Sequence, residues 1–152
     1  SPMSRGLGDV YKRQQVYHDA MARLKRKIDG AREHLPAPVI REEEKKDLGV
    51  IFYGSMENSI VEIDDMLEES GLSVSTCRVR ALPLHSGVED FVRRHDRTIV
   101  LEINRDGQLF GIIRKEFPAE LIPKIHSVSY SDGMPPRARV YSDMILEVLE
   151  GL

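Results

Sequence analysis

Short apolar runs alternate with segments of helical periodicity through most of this chain, and this alternation limits the folds it can adopt. Four runs are predicted as strands: Gly49–Tyr53, Leu72–Arg80, Thr98–Ile103 and Lys124–Tyr130. The amphipathic segments that follow them are predicted as helices: Glu57–Glu69, Gly87–His95, Gln108–Glu116 and Arg137–Leu149. Strands joined through helices need crossover connections. The sequence therefore predicts an α/β fold, a three-layer sandwich with a mostly parallel sheet of about four or five strands.

A basic amphipathic helix is predicted ahead of the sheet, over Gln15–Leu35. Its apolar residues recur at spacings of three and four, which places them on one helical face: Tyr17, Met21, Leu24, Ile28 and Ala31. We interpret the opposite, Lys- and Arg-rich face as exposed to solvent, and the apolar face as the surface that packs on another helix. Nucleic-acid binding is the alternative, but the helix has neither aromatic residues interleaved with its basic residues nor a recognised nucleic-acid-binding motif. The net charge of −3 also gives no general affinity for polyanions, and no nucleic-acid partner is expected.

Two further stretches lack a strand or helix period and suggest domain boundaries. Ser1–Gln14 carries two closely spaced glycines and is similar to a translated sequencing adapter, so residues 1–14 are expected to be a non-native tail on a fragment of a longer protein. Prolines at Pro36 and Pro38 end the lead-in helix, and the charge run Arg41–Asp47 is predicted to be an exposed linker. The expected divisions are 1–14, a lead-in helix and linker over 15–47, and the α/β domain over 48–152.

Several classes of site are excluded by the residues present. The single cysteine, Cys77, rules out an internal disulfide framework and any four-cysteine metal site built from this chain alone. The phosphate-binding fingerprints G-x-G-x-x-G and G-x-x-x-x-G-K-[ST] are missing, as is the nucleophile motif G-x-S-x-G. No histidine pair has helical metal-ligand spacing, and His95 is expected at the surface. We predict no catalytic residue and no metal ligand.

The chain is expected to be cytoplasmic, without a membrane partner. No apolar run approaches the length that spans a bilayer, and the N-terminus has no apolar core of a signal peptide.

Polar residues gather where two predicted strands end. Because side chains alternate between the two faces of a strand, Glu102 and Asn104 are predicted to lie on the same side of the third strand. The Asn104 and Asp106 side chains can form hydrogen bonds with their own backbone, and Gly107 permits the positive φ of a tight turn. Ser55, after the first strand, is predicted to cap the following helix. Ligands and partners meet α/β domains at such strand ends. The candidate interface or anion-contact residues are therefore Gly54, Ser55, Glu102, Asn104, Arg105, Gly107 and Gln108.

Four motifs lie at these strand ends: Y-G-S at Tyr53–Ser55, R-A-L-P at Arg80–Pro83, E-I-N-R-D-G-Q-L at Glu102–Leu109 and D-G-M-P at Asp132–Pro135. In order and spacing they resemble the C-terminal domain, transketolase C-terminal-like, of the α subunit of 2-oxoacid:ferredoxin oxidoreductases of the 2-oxoglutarate type. The resemblance covers Gln15 to Leu152. Met56 and the pair Leu84-His85 depart from the usual family residues, and these departures bear on the substrate more than on membership.

The resemblance implies an enzyme that decarboxylates a 2-oxoacid on thiamine diphosphate, passes electrons through an iron–sulfur cluster to ferredoxin and yields an acyl-CoA. It implies that these groups are held by other domains and by the thiamine-binding β subunit. The fragment is then expected to bind no cofactor, to be inactive alone, and to pack against the β subunit and the N-terminal domains of its own subunit.

The alternative is a free-standing flavodoxin-like module that binds a nucleotide or CoA-type anion at its strand ends, where Gly54, Ser55 and Arg105 lie.

Overall fold

The sheet has five strands, four of which are parallel. A computed structural model describes residues 2–152, with side chains from Gly6 onward. Its strands are β1 (Val39–Arg41), β2 (Leu48–Tyr53), β3 (Val74–Val79), β4 (Arg97–Glu102) and β5 (Ile125–Ser129). They are arranged β1-β3-β2-β4-β5, and only the edge strand β1 is antiparallel to its neighbour. The predicted α/β class and the four predicted strands are confirmed.

Five α-helices accompany the sheet: α1 (Pro2–Ala31), α2 (Glu57–Glu69), α3 (Ser86–Arg94), α4 (Gln108–Glu116) and α5 (Ala138–Glu150). Short 3₁₀ helices form at Arg32–His34, Gly54–Met56 and Ala119–Lys124. Helices α2 and α5 pack on one face of the sheet, and α3 and α4 pack on the other. The three layers predicted from the alternation are therefore present. Among the described residues, no helix combines the length and apolarity needed to cross a bilayer.

Both faces of the sheet are apolar because both are covered. Along β2, Leu48, Val50 and Phe52 contribute to the core beneath α2 and α5, whereas Ile51 contributes to the core beneath α3 and α4. This is the period-two alternation of a strand. Since each face meets a helical layer, the strand reads in sequence as a continuous apolar run.

The strand order reverses between β2 and β4. The connection that leaves β2 passes through α2 on one face, whereas the connection that leaves β4 passes through α4 on the opposite face. The two chain segments diverge at this point and leave a crevice between their strand ends, which is where open α/β sheets bind ligands. The polar turn that follows β4 lies beside this crevice.

Strand β1 lies between the lead-in helix and β2, and its last residue, Arg41, is the first residue of the predicted linker. Ile40 pairs with Cys77 of β3, and Arg41 donates to the Val74 carbonyl oxygen at 3.1 Å and forms an ion pair with Asp64. Glu43, within the predicted linker, donates its backbone N–H to Ser75 Oγ at 3.0 Å. A short edge strand with charged side chains protects the sheet edge from further pairing. The strand was not predicted because three residues carry too little periodicity to detect.

Helix α1 is attached to the domain at its C-terminal end. Arg32 donates to the Leu84 carbonyl oxygen at 3.0 Å and to Glu116 at 2.8 Å, and Glu33 accepts from the Ser86 backbone N–H at 3.3 Å. The helix begins at Pro2 rather than at Gln15, and residues 6–14 are exposed. Ser1 lies outside the described residues. The non-native origin of residues 1–14 stays a prediction.

His95 is buried, so its predicted surface position was wrong. The side chain is 1% exposed, its ring lies 4.3 Å from the Phe91 ring, and its Nδ1 is 2.7 Å from the Phe91 carbonyl oxygen. Burial lowers the pKa of the imidazole, which therefore remains neutral at neutral pH. With Nδ1 donating to the carbonyl oxygen, Nε2 is the unprotonated nitrogen, and it has no hydrogen-bond partner.

Gly49 is required by this packing. A Cβ at this position would lie 2.6 Å from Phe91 Cε1 and 3.2 Å from His95 Cγ, and both rings are buried. We expect Gly49→Ala to lower the free energy of unfolding by about 1–3 kcal/mol through overpacking. Urea denaturation followed by circular dichroism measures this change.

Gly111→Ala in α4 is the matched control, because nothing lies within 4 Å of the added Cβ. It should raise stability by about 0.5–1 kcal/mol, since alanine favours a helix over glycine. Equal effects of the two substitutions would contradict the described packing of Phe91.

Candidate functional site

The carboxylate of Glu102 is enclosed at the C-terminal end of β4, and it is 0% exposed. Its Oε1 accepts from the Leu109 N–H at 2.6 Å, and its Oε2 accepts from the Phe110 N–H at 3.1 Å. These N–H groups belong to the first turn of α4, where helical backbone donors have no partner within the helix and the helix dipole favours a negative charge. Glu102 thus caps α4 from the neighbouring strand.

Two side chains complete the surroundings of this carboxylate. Asn104 Nδ2 donates to Glu102 Oε1 at 3.0 Å and to Tyr53 Oη at 3.1 Å, and Tyr53 Oη lies 3.4 Å from Glu102 Oε1. Burial, followed by the negative charge of Glu102, raises the pKa of the Tyr53 hydroxyl, which remains protonated and able to donate. The contacts join the ends of β2 and β4 across the crevice.

The turn between β4 and α4 is held by Asn104 and Ser129. Asn104 Oδ1 accepts from the backbone N–H groups of Asp106 at 3.1 Å and Gly107 at 2.7 Å. Ser129, at the end of β5, donates to the Asn104 carbonyl oxygen and accepts from the Gly107 N–H at 3.0 Å. Gly107 has a φ of 61°, which confirms the predicted left-handed conformation. The Asp106 side chain instead pairs with Arg105 at 2.8 Å.

A cavity of about 380 Å³ opens beside this cluster, at the carboxyl ends of β2 and β3. It is lined by Tyr53, Gly54, Val79, Arg80, Ala81, Leu82, Gln108, Leu109 and Ile112. The lining is mainly apolar, and Arg80 is the one charged residue among those that line it. Its position beside the point where the strand order reverses is the usual position of ligand sites in this fold class.

The seven predicted site residues divide between the cavity, the buried cluster and the surface. Gly54 and Gln108 line the cavity, whereas Glu102, Asn104 and Gly107 form the hydrogen-bonded cluster beside it. Ser55 and Arg105 do not line the cavity, and both are exposed. The sequence therefore did not distinguish the side chains that face the opening from those that do not, and the role of all seven as interface or anion-contact residues stays a prediction.

The predicted capping role of Ser55 was wrong. The residue lies in the 3₁₀ helix Gly54–Met56, and the N-cap position of α2 is occupied by Met56 without a side-chain hydrogen bond. Because the 3₁₀ turn leads directly into α2, Met56 already has helical dihedral angles and the usual extended N-cap geometry is absent.

Several residues of this region were missed by reasoning from the sequence. Tyr53 and Ser129 contact the cluster from other strands, and Leu82 and Met134 are 55% and 64% exposed on the loops after β3 and β5. A large apolar side chain beside a proline, as in R-A-L-P and D-G-M-P, was the available signal for the last two residues. Nothing local indicates Ser129.

The single thiol of the chain, Cys77, is buried and does not line the cavity. Burial raises the pKa of the Cys77 thiol to about 12, which keeps it protonated and unreactive. Within the part of the chain that the structure describes, no group of three or more His, Cys, Asp or Glu side chains is placed to hold a metal ion.

No family model and no curated protein matches this chain. Among solved structures it is similar to the 2-oxoglutarate:ferredoxin oxidoreductase from Magnetococcus marinus, solved with 2-oxoglutarate, coenzyme A and succinyl-CoA bound. The TM-score is 0.69 at 22% identity, over 86% of this chain and 23% of that chain. It is also similar to a split-gene transketolase, an inactive β4 tetramer, with a TM-score of 0.52 at 18% identity, over 71% of this chain and 40% of the other.

The chain thus spans less than half of either solved chain, and the likeness is one of fold. The fold shared with these structures is an α/β sandwich with a mostly parallel sheet, as the resemblance of the strand-end motifs implied.

Glu102→Gln tests the capping role of the carboxylate. The substitution keeps the size of the side chain but turns an amide NH₂ group toward one of the two N–H donors of α4. We expect the free energy of unfolding to fall by about 2 kcal/mol, because one charge-assisted hydrogen bond is lost and a donor is left unpaired. Urea denaturation at neutral pH measures the loss.

Asp106→Asn is the matched control, with the same exchange of carboxylate for amide on a side chain that is 64% exposed. It should change stability by less than about 0.5 kcal/mol. A loss at Glu102 no larger than that at Asp106 would refute the capping role.

Proposed function

We propose that this chain is a non-catalytic assembly domain of a thiamine-diphosphate-dependent 2-oxoacid:ferredoxin oxidoreductase, with 2-oxoglutarate as the 2-oxoacid. The observation that carries the proposal is the state of Glu102. The carboxylate is 0% exposed, and its two oxygens accept hydrogen bonds from the first turn of α4 and from Asn104. A carboxylate held in this way stabilises a corner of the fold and has no free position from which to act on a substrate.

The strand-end motifs and the likeness in fold support the choice of parent enzyme. The solved enzyme of Magnetococcus marinus contains 2-oxoglutarate, coenzyme A and succinyl-CoA, which are the substrates and product of an oxidative decarboxylation. We infer that the parent complex of this chain carries out the same class of reaction. Thiamine diphosphate, an iron–sulfur cluster and the coenzyme A site are assigned to other domains and to the β subunit, and ferredoxin receives the electrons.

The surface of the strand-end edge supports docking to a partner. Leu82 and Met134 project from the loops after β3 and β5 and are 55% and 64% exposed. Arg105, from the loop after β4, is also exposed. Apolar side chains among polar neighbours are typical of protein interfaces. The expected partners are the thiamine-binding β subunit and the N-terminal domains of the same subunit.

A charge at Leu82 should therefore impair assembly. In the complex formed from the complete α subunit and its thiamine-binding β subunit, Leu82→Glu should reduce the assembled fraction about ten-fold, because it buries an unpaired charge at the docking edge. Size-exclusion chromatography measures assembly, and turnover is expressed per assembled complex. We expect that turnover to be unchanged.

Val61→Glu provides the comparison, since Val61 is 69% exposed on α2, away from the strand-end loops. It should leave assembly unchanged. Normal assembly with loss of turnover in the Leu82 variant would contradict the architectural role.

The alternative function, a flavodoxin-like module for a nucleotide or CoA-type anion, rests on the cavity. Its apolar walls could hold a ring system and Arg80 could pair with a phosphate. The fingerprint glycine loops for such ligands are absent from the strand ends.

Ligand binding by the isolated chain separates the two functions. For an assembly domain, thiamine diphosphate with Mg²⁺ should give no binding heat in calorimetry, and coenzyme A and nucleotides should not raise the melting temperature. A rise with coenzyme A or a nucleotide that is lost in Arg80→Ala would favour the binding module. Tight binding of thiamine diphosphate would contradict the proposal.

A further inference from the structure

Helix α1 carries an uncovered apolar stripe, which we define as Tyr17, Met21, Leu24 and Ile28. Their exposures are 63%, 47%, 49% and 42%. At 3.6 residues per turn, the four side chains lie within about 60° of one another around the helix. Large apolar residues at alternating spacings of four and three, all uncovered, are unlike the scattered apolar residues of an ordinary surface.

The stripe leads toward the end of α1 that is attached to the domain. Toward the C-terminal end of α1, Ala31 and Leu35 follow at the same spacing and are half-buried where Arg32 anchors the helix to the domain. An occupant of the stripe would lie along α1 next to this attachment.

Cations flank the stripe on both sides. Lys25 and Lys27 lie roughly 80° to either side of its centre, at the positions that flank an apolar seam in coiled coils. From residue 20 to residue 28 the sequence is A-M-A-R-L-K-R-K-I, which contains Lys and Arg but no carboxylate, although the whole chain has a net charge of −3. The positive flanks are therefore a local feature of this helix.

These charges disfavour a second copy of the chain as the occupant. In a pair of α1 helices, Lys25 and Lys27 of both copies would flank the same apolar contact. Like charges at these positions oppose pairing. The stripe is also narrower than the broad apolar face with which helices enter a membrane surface.

We propose that the stripe binds a helix of another polypeptide segment whose own apolar seam is flanked by Glu or Asp. The four residues of the stripe supply the apolar contact area, and Lys25 and Lys27 form ion pairs with the acidic residues that flank the partner's seam. This surface is distinct from the strand-end edge, and its occupancy depends neither on the parent enzyme nor on the docking role proposed above.

Two synthetic helical peptides test the proposal against the full chain. Both have Leu at the seam positions, with Glu at the flanking positions of the acidic peptide and Lys at those of the basic peptide. By fluorescence anisotropy at low salt, the acidic peptide should bind at least about ten-fold more tightly than the basic one, and the difference should shrink as salt is added.

Charge reversal locates the contact. Lys25→Glu with Lys27→Glu should invert the preference, so that the basic peptide binds more tightly. Arg23→Glu with Arg26→Glu makes the same change in net charge on the far side of the helix and should keep the preference for the acidic peptide. Met21→Ser with Leu24→Ser should abolish binding of both peptides, with the fold of the domain checked by thermal unfolding.

Three results would overturn the proposal. The first is no binding of the acidic peptide, or equal binding of both peptides. The second is a dimer of the chain in sedimentation equilibrium that is lost in the Met21 and Leu24 variant, which would make a second copy the occupant. The third is binding to phosphatidylcholine vesicles containing phosphatidylserine, lost in the same variant, while the acidic peptide does not bind. A membrane surface would then be the occupant.

Discussion

The pairing of the Glu102 carboxylate with the N-terminal turn of α4 is the contact on which the carboxyl edge of this domain depends. A strand-end carboxylate and a helix N-terminus satisfy each other: the charge gains hydrogen bonds and a favourable dipole, and the helix gains acceptors for its free N–H groups. Neither partner could be buried at reasonable cost without the other. Tyr53, Asn104 and Ser129 then gather around this contact and bring the ends of β2, β4 and β5 into one cluster.

The polar groups at this strand end are engaged with one another. In α/β proteins the point where the strand order reverses usually leaves polar groups free to meet a ligand. Here the carboxylate, the amide and the turn backbone are bonded to one another, and the adjoining cavity is mainly apolar. Leu82, Met134 and Arg105 are among the exposed side chains of this edge.

The fold class could be predicted because its signals are local. Each strand and helix has a hydrophobic period that can be read within a few residues, and the turn at Asn104 and Gly107 follows from the preferences of those residue types. Strand β1 could not be predicted, since its three residues become a strand only by pairing with β3. The burial of His95 likewise follows from the space left by Gly49 and from the Phe91 ring.

By itself the sequence determined the order of the four parallel strands and of the helices that follow them. It also determined a basic lead-in helix with one apolar face, and the position of the polar residues at the strand ends. Only the tertiary structure decided the strand order β1-β3-β2-β4-β5 and, with it, that Tyr53 and Ser129 meet Glu102 and Asn104. It also decided that Ser55 remains at the surface. The physical reason is that local periodicity and backbone preference encode the elements, whereas the pairing of strands depends on contacts between residues far apart in the chain.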